Sequence, residues 1–165
     1  MEGFDSIKKV EVIISEVEGI LTDGTYPVDE LGNIPFKTFY HRDFEAINLL
    51  KRQFKVVFIA ADNKVSYNLF RRKQIPFYYE PKNKKQALLQ ALKRYSLTPD
   101  QAIYLGSTYS DIECMRQVPS AICPEDAIAD IKNLSVHVLP VYSGDGVMSA
   151  LYEFLKPEIV RRRIK

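Results

Sequence analysis

Apolar runs of strand length recur along the chain: VEVII at 10–14, KVVFIA at 55–60, PFYY at 76–79, AIYLG at 102–106, SAIC at 120–123 and VHVL at 136–139. Between them apolar residues return at helical spacing, as in Phe44, Ile47 and Leu50, then Val65 and Leu69, then Leu88, Leu92 and Tyr95. Strands this apolar need both faces covered. The order therefore predicts an α/β protein, a doubly wound parallel sheet with helices on each side and a ligand crevice beyond the carboxyl ends of the strands. One segment breaks the alternation: GTYPVDELGNIPFKTFY, residues 24–40, has two extended arms around ELGN and reads as a β-hairpin inserted after the first strand. Its prolines, Pro27 and Pro35, suit edge strands.

Neither an internal repeat nor a Gly/Ser linker interrupts the pattern, so residues 1–165 are read as one domain carrying the 24–40 arm and a basic tail at 156–165. The tail, ending RRRIK, is expected to be a frayed, solvated end. With 23 basic residues against 21 acidic, the net charge of +2 supplies no field that implies nucleic acid or an anionic membrane as partner. The first residues lack a signal-peptide pattern and no apolar run is long enough to span a bilayer, so a cytoplasmic protein is expected. Cys114 and Cys123 have no metal-ligand spacing and read as buried or half-buried thiols in a reducing compartment; His41 and His137 stand far apart, with no clustered acids or cysteines beside them, and read as satisfied or exposed histidines rather than zinc ligands.

In a parallel sheet four segments converge on the crevice: Glu16 to Gly19, Ala60 to Asn63, the lysines of KNKK at 82–85, and GSTYSD at 106–111. Each has an ordinary reading. Loop glutamates are usually solvated, a lysine at a helix start is usually surface, and Thr108 with Asp111 forms a T-x-x-D capping box. Taken together, their order and spacing resemble the haloacid dehalogenase superfamily, in particular its small capless branch of 3-deoxy-D-manno-octulosonate 8-phosphate phosphatases and the related domain of sialic acid cytidylyltransferases. The likeness runs from Ile7 to about Leu155 and is most specific in EGILTDG at 18–24, where the family reads D-x-D-G-x-L-T-D-G, in HRDFEAINLL, and in LTPDQAIYLGSTYSDIECM.

The resemblance implies roles. An aspartate at the end of the first strand attacks phosphorus, and a second one two residues on serves as acid and base. Magnesium is held by the nucleophile, a backbone carbonyl and an acid of the G-D-x-x-x-D loop. A hydroxyl after the second strand and a lysine before the fourth grip the phosphoryl oxygens. In this chain Glu16 stands at the nucleophile, Glu18 at the acid/base, Ala60 at the hydroxyl and Ser107 at the first metal-loop acid, whereas Lys84, Asp111, Gly19, Asp23, Arg42 and Asp43 keep the family pattern. The family's C-terminal G-G-x-G-A-x-R-E becomes SGDGVMSA, which puts Ser149 and Ala150 at the arginine and glutamate positions.

Each Asp→Glu change inserts a methylene and moves the carboxylate by ~1.5 Å, while a ~1 Å misplacement of a reacting group can cost about a hundredfold in rate. The expected reading is a catalytically degenerate member, a homo-oligomer (a tetramer, by the resemblance) that binds a sugar phosphate or associates with a cytidylyltransferase, with no cofactor. The alternative is a working phosphatase of a 3-deoxy sugar acid phosphate, with Mg²⁺ at Glu16, Glu18, Ser107 and Asp111. The substrate-binding positions implied are Ala60, Lys84 and Arg42, and Lys84 with unpaired amides of the 106–108 loop is expected to attract anions.

Overall fold

The computed structural model describes residues 6–60, 64–79 and 83–164. Lys82 and the stretch 61–63, which the sequence puts at the crevice, lie outside the described residues. Six strands form one parallel sheet: β1 (Val12–Ser15), β2 (Lys55–Ala60), β3 (Phe77–Tyr79), β4 (Ala102–Leu105), β5 (Ser120–Pro124) and β6 (His137–Leu139), in the spatial order β3-β2-β1-β4-β5-β6. The chain winds outward one way from β1 through β2 to β3, then returns to the other side of β1 for β4. That reversal creates a crevice between the carboxyl ends of β1 and β4. Their register, Ser15 beside Leu105, brings the loops that follow each strand face to face there.

The helices are α1 (His41–Leu50), α2 (Lys64–Arg72), α3 (Lys84–Arg94), α4 (Ile112–Met115), α5 (Ala129–Leu134) and α6 (Val147–Ile164). All four residues of β1 are buried because both faces are covered. Ile13 turns to a core with Phe44, Ile47, Leu50, Leu151 and Leu155 from α1 and α6. Val12 and Ile14 turn to the opposite core, with Leu88 and Leu92 of α3 and Tyr104 of β4. Among the described residues no helix is long and apolar enough to cross a membrane. Cys114 and Cys123 are buried free thiols, and burial raises Cys114 to about 11, which keeps it protonated and unreactive.

Two sequence expectations need correction. The 24–40 insertion is present, and its tip closes where Asp29 N donates to Asn33 O (2.9 Å), but its arms form no strand ladder. Two strands alone bury too little to hold together, and Tyr26, Val28, Leu31 and Phe36 lie exposed. The basic tail is not frayed. α6 runs through it to Ile164, with Val147, Leu151, Leu155 and Ile159 forming one buried stripe at intervals of four. Arg162 fixes the far end: its guanidinium donates to the carbonyls of Lys8 (3.3 Å) and Val10, pairs with Glu158 (3.2 Å) and lies 4.8 Å from the Phe54 ring centroid.

Candidate active site

Glu16 follows β1 directly. Its amide donates to Leu105 O (3.0 Å), so it extends the β1–β4 pairing by one residue, and it is 1% exposed. One carboxylate oxygen, Oε1, accepts the Val17 amide (2.8 Å); the other, Oε2, meets Lys84 Nζ. Lys84 is where it is because Asn83 caps the helix behind it. The Asn83 side chain accepts from Gln86 N (3.0 Å), which makes Lys84 the first residue of α3 and lets it reach into the crevice. A lysine opposes the helix dipole at that end. Two carboxylates offset this, since Nζ also lies 3.1 Å from Asp111 Oδ1 and donates to Ser110 Oγ at 2.7 Å.

Asp111 is wholly buried and fully occupied. Its Oδ1 accepts from Tyr104 OH (3.0 Å) and Lys84, and its Oδ2 from the amides of Ser107 (3.0 Å) and Thr108 (3.1 Å). Burial, with the Asp111 charge next to it, holds the Tyr104 phenol well above its ordinary range, so it remains a donor. Room for Asp111 exists because residue 106 is glycine: a Cβ there would come within 2.5 Å of the Asp111 Cβ. The expectation of unpaired amides at 106–108 fails here. Gly106 N donates to Ile122 O (3.3 Å), and the other two are taken by Asp111.

Ser107 and Glu18 complete the crevice. Ser107 Oγ sits over Gly19, whose φ of +80° and lack of a side chain permit the approach, since a Cβ on Gly19 would overlap it. The hydroxyl lies 3.5 Å from Glu18 O. Glu18 itself pairs with Lys37 Nζ at 2.5 Å, and the Lys37 side chain is only 3% exposed. The sequence reading missed Lys37; a single lysine in an aromatic arm carries no periodic signal. It also missed Tyr104, which looks like one more apolar strand residue. Ala60 ends β2, buried, and offers only a methyl. Arg42 is exposed, with its guanidinium on the Tyr40 hydroxyl and 4.7 Å from the Tyr40 ring centroid.

A carboxylate at the end of a central parallel strand, a lysine reaching it from a helix start and an acid on the loop of the neighbouring strand meet in one crevice of an α/β sheet. The chain belongs to the haloacid dehalogenase-like hydrolases, whose family model it matches over residues 31–151. It is 24% identical over 152 residues, 90% of this chain and 84% of the relative, to a 3-deoxy-D-manno-octulosonate 8-phosphate phosphatase of Haemophilus influenzae. The cobalt-bound structure of the Haemophilus influenzae deoxy-D-mannose-octulosonate 8-phosphate phosphatase superposes with a TM-score of 0.86 at 23% identity, covering 93% of this chain and 91% of that one. The Moraxella catarrhalis 3-deoxy-D-manno-octulosonate 8-phosphate phosphatase, in complex with magnesium, phosphate and KDO, gives 0.86 at 19% identity, covering 95% and 91%. At these identities the structures establish a common fold.

The metals in those structures pose a question of fit. Here the two carboxylates that face each other, Glu16 and Asp111, already hold Lys84 between them, the oxygens of Asp111 are saturated, and position 107 offers a neutral hydroxyl. Among the described residues no three acid, histidine or cysteine side chains are grouped so as to hold an ion. A magnesium ion prefers a nearly regular octahedron of oxygens, and this donor set, as arranged, does not fit it.

Proposed function

We propose that the chain is a catalytically degenerate haloacid dehalogenase-like protein that binds a sugar phosphate in the crevice without turning it over. The observation that carries this reading is the self-neutralised site: Lys84 bridges Glu16 and Asp111, and Lys37 pairs with Glu18. Glu16 at the nucleophile position has one oxygen on an amide and the other on an ammonium. Both contacts lower its electron density, and neither aligns it with a phosphorus atom. Glu18, held by an ammonium, is poorly suited to carrying a proton to a leaving oxygen. Lys84 remains the natural contact for a phosphate, which must draw it away from Glu16 to bind, so affinity is expected to be weak.

The second reading is a working Mg²⁺-dependent phosphatase of a 3-deoxy sugar acid phosphate. Similarity favours it: the relative that covers 90% of this chain is a phosphatase of that substrate, and the family is one of hydrolases. On similarity alone it is the better supported of the two; the first rests on the geometry of the site. Phosphate release from 3-deoxy-D-manno-octulosonate 8-phosphate, followed with and without Mg²⁺, separates them. The first reading expects release no faster than buffer. Multiple turnovers that depend on Mg²⁺ would establish the second.

The proposal includes self-association, as a tetramer, through the arm, because its exposed Tyr26, Val28, Leu31 and Phe36 make an apolar surface that a lone chain leaves wet. A cytidylyltransferase is a further proposed partner. Sedimentation at micromolar concentration checks the first point, and a stable monomer refutes it.

A further inference from the structure

We propose that the ligand of this crevice is a polyol phosphate whose far end carries no carboxylate, a neutral or amino sugar rather than a sugar acid. This rests on the reading of the crevice as a sugar-phosphate site. A cavity of about 320 Å³, within the size range of small-molecule sites, opens between the arm and the turn at 143–145, with Asp23, Lys37, Phe39, Tyr40, Ser143 and Asp145 among its walls.

The cavity adjoins the carboxylate cluster. Its Lys37 is the residue paired with Glu18. Its Ser143 Oγ lies 3.8 Å from where a Cβ on Gly19 would be, and that same point overlaps Ser107. The turn is fixed in place: Ser143 donates its amide and hydroxyl to Asp126 (2.9 Å each), and Gly144 N donates to Ile20 O (3.2 Å). A small phosphate ester with its phosphate at Lys84 therefore points its other end into this space. Aromatic faces beside hydroxyl and carboxylate acceptors suit the C–H faces and O–H groups of a sugar.

Charge then narrows the class. Asp23 is held ionised, because the Thr25 hydroxyl (2.7 Å) and amide (2.9 Å) both donate to its Oδ1 and keep its carboxyl below the ordinary range. Asp145 is a second wall carboxylate. The one lysine among the lining residues is engaged by Glu18, and the guanidinium of Arg42 is held on the hydroxyl of the lining residue Tyr40. Among the lining residues, Asp23 and Asp145 against Lys37 leave one net negative charge. A ligand carboxylate entering this space meets Asp23 and Asp145, whereas a hydroxyl or ammonium group donates to them.

Calorimetric titration of the intact protein with glucose 6-phosphate, glucosamine 6-phosphate, 3-deoxy-D-manno-octulosonate 8-phosphate and inorganic phosphate tests this. The two hexose phosphates are expected to bind about tenfold or more tighter than the sugar acid phosphate, a difference of about 1.4 kcal/mol. Asp145→Asn, on an exposed turn, is expected to bring the sugar acid phosphate closer to them. Tightest binding of the sugar acid phosphate, an undiminished gap between it and the hexose phosphates in Asp145→Asn, or esters no better than inorganic phosphate would each overturn the inference while leaving the crevice a phosphate site. Failure of all four, inorganic phosphate included, would remove the reading of the crevice itself.

Discussion

Replacing Asp43 by asparagine should stabilise the protein at neutral pH. Asp43 sits in the first turn of α1, 1% exposed, and reaches across to the start of α6, where its Oδ1 accepts the Ser149 amide at 3.0 Å. Its Oδ2 is buried with no hydrogen-bond partner. Burial therefore pushes the carboxyl up from 3.8 to about 6; the Ser149 and Met148 amides and then Arg42 pull it back, and Asp145 adds to the rise. For an acid with a raised folded-state value the sign is fixed. Below the unfolded value of 3.8 both states hold the proton and the group contributes nothing. Between 3.8 and 6 the folded state keeps a proton that the unfolded state has lost, so stability falls as pH rises, and the full penalty is present above 6. A shift of about two units corresponds to about 3 kcal/mol at 1.36 kcal/mol per unit. Asparagine keeps the shape and the accepting oxygen and carries no charge. Urea unfolding of parent and Asp43→Asn at intervals from pH 4 to pH 7.5 should show the parent losing up to about 3 kcal/mol relative to the variant. Parallel stability curves across that range would refute the reasoning.

Other outcomes follow from the same contacts. Glu16→Gln removes the carboxylate that occupies Lys84, so inorganic phosphate should bind several-fold tighter by calorimetry, and equal affinity would sink the electrostatic account. Glu16→Asp, Glu18→Asp, Ala60→Thr and Ser107→Asp made together should restore Mg²⁺ affinity and partial phosphatase activity, while single reversions do little, since such groups act as a unit. Tight Mg²⁺ binding by the parent would instead establish a rearranged metal site. Arg162→Ala removes the guanidinium that holds α6 to Lys8, Val10 and Glu158 and should cost about 1–3 kcal/mol of unfolding free energy; an unchanged urea midpoint would mean the helix end is held by packing alone.

The strands were legible because burial on both faces leaves no polar alternation, and each predicted run lies within two residues of an observed strand at either end. The positions of Glu16, Lys84 and Asp111 were legible for a related reason, since a parallel sheet sends every such loop to one edge. α6 was missed although Val147, Leu151, Leu155 and Ile159 repeat every four residues, because the run ending RRRIK read as a solvated end. Two readings of Thr108 and Asp111 were in conflict. As a capping box they use up the loop amides, and as an anion site they leave them open. The structure takes the first, because a carboxylate in the same chain is always at hand while an external anion is not. Lys37 could not be foreseen, since its burial depends on how the arm folds back.

The strand order also has a consequence during synthesis. β1 is made first and lies at the centre, between β2 and β4. Its β2 edge can pair once residue 60 has emerged, but its other edge waits for residues 102–105. For some 40 residues of translation, at about 5–20 residues per second, the apolar Val12–Ile14 edge and the Glu16 amide stay open to any strand nearby. Chaperone dependence and misassembly of this protein should accordingly be concentrated in chains truncated before β4, and should fall once Leu105 closes over Glu16.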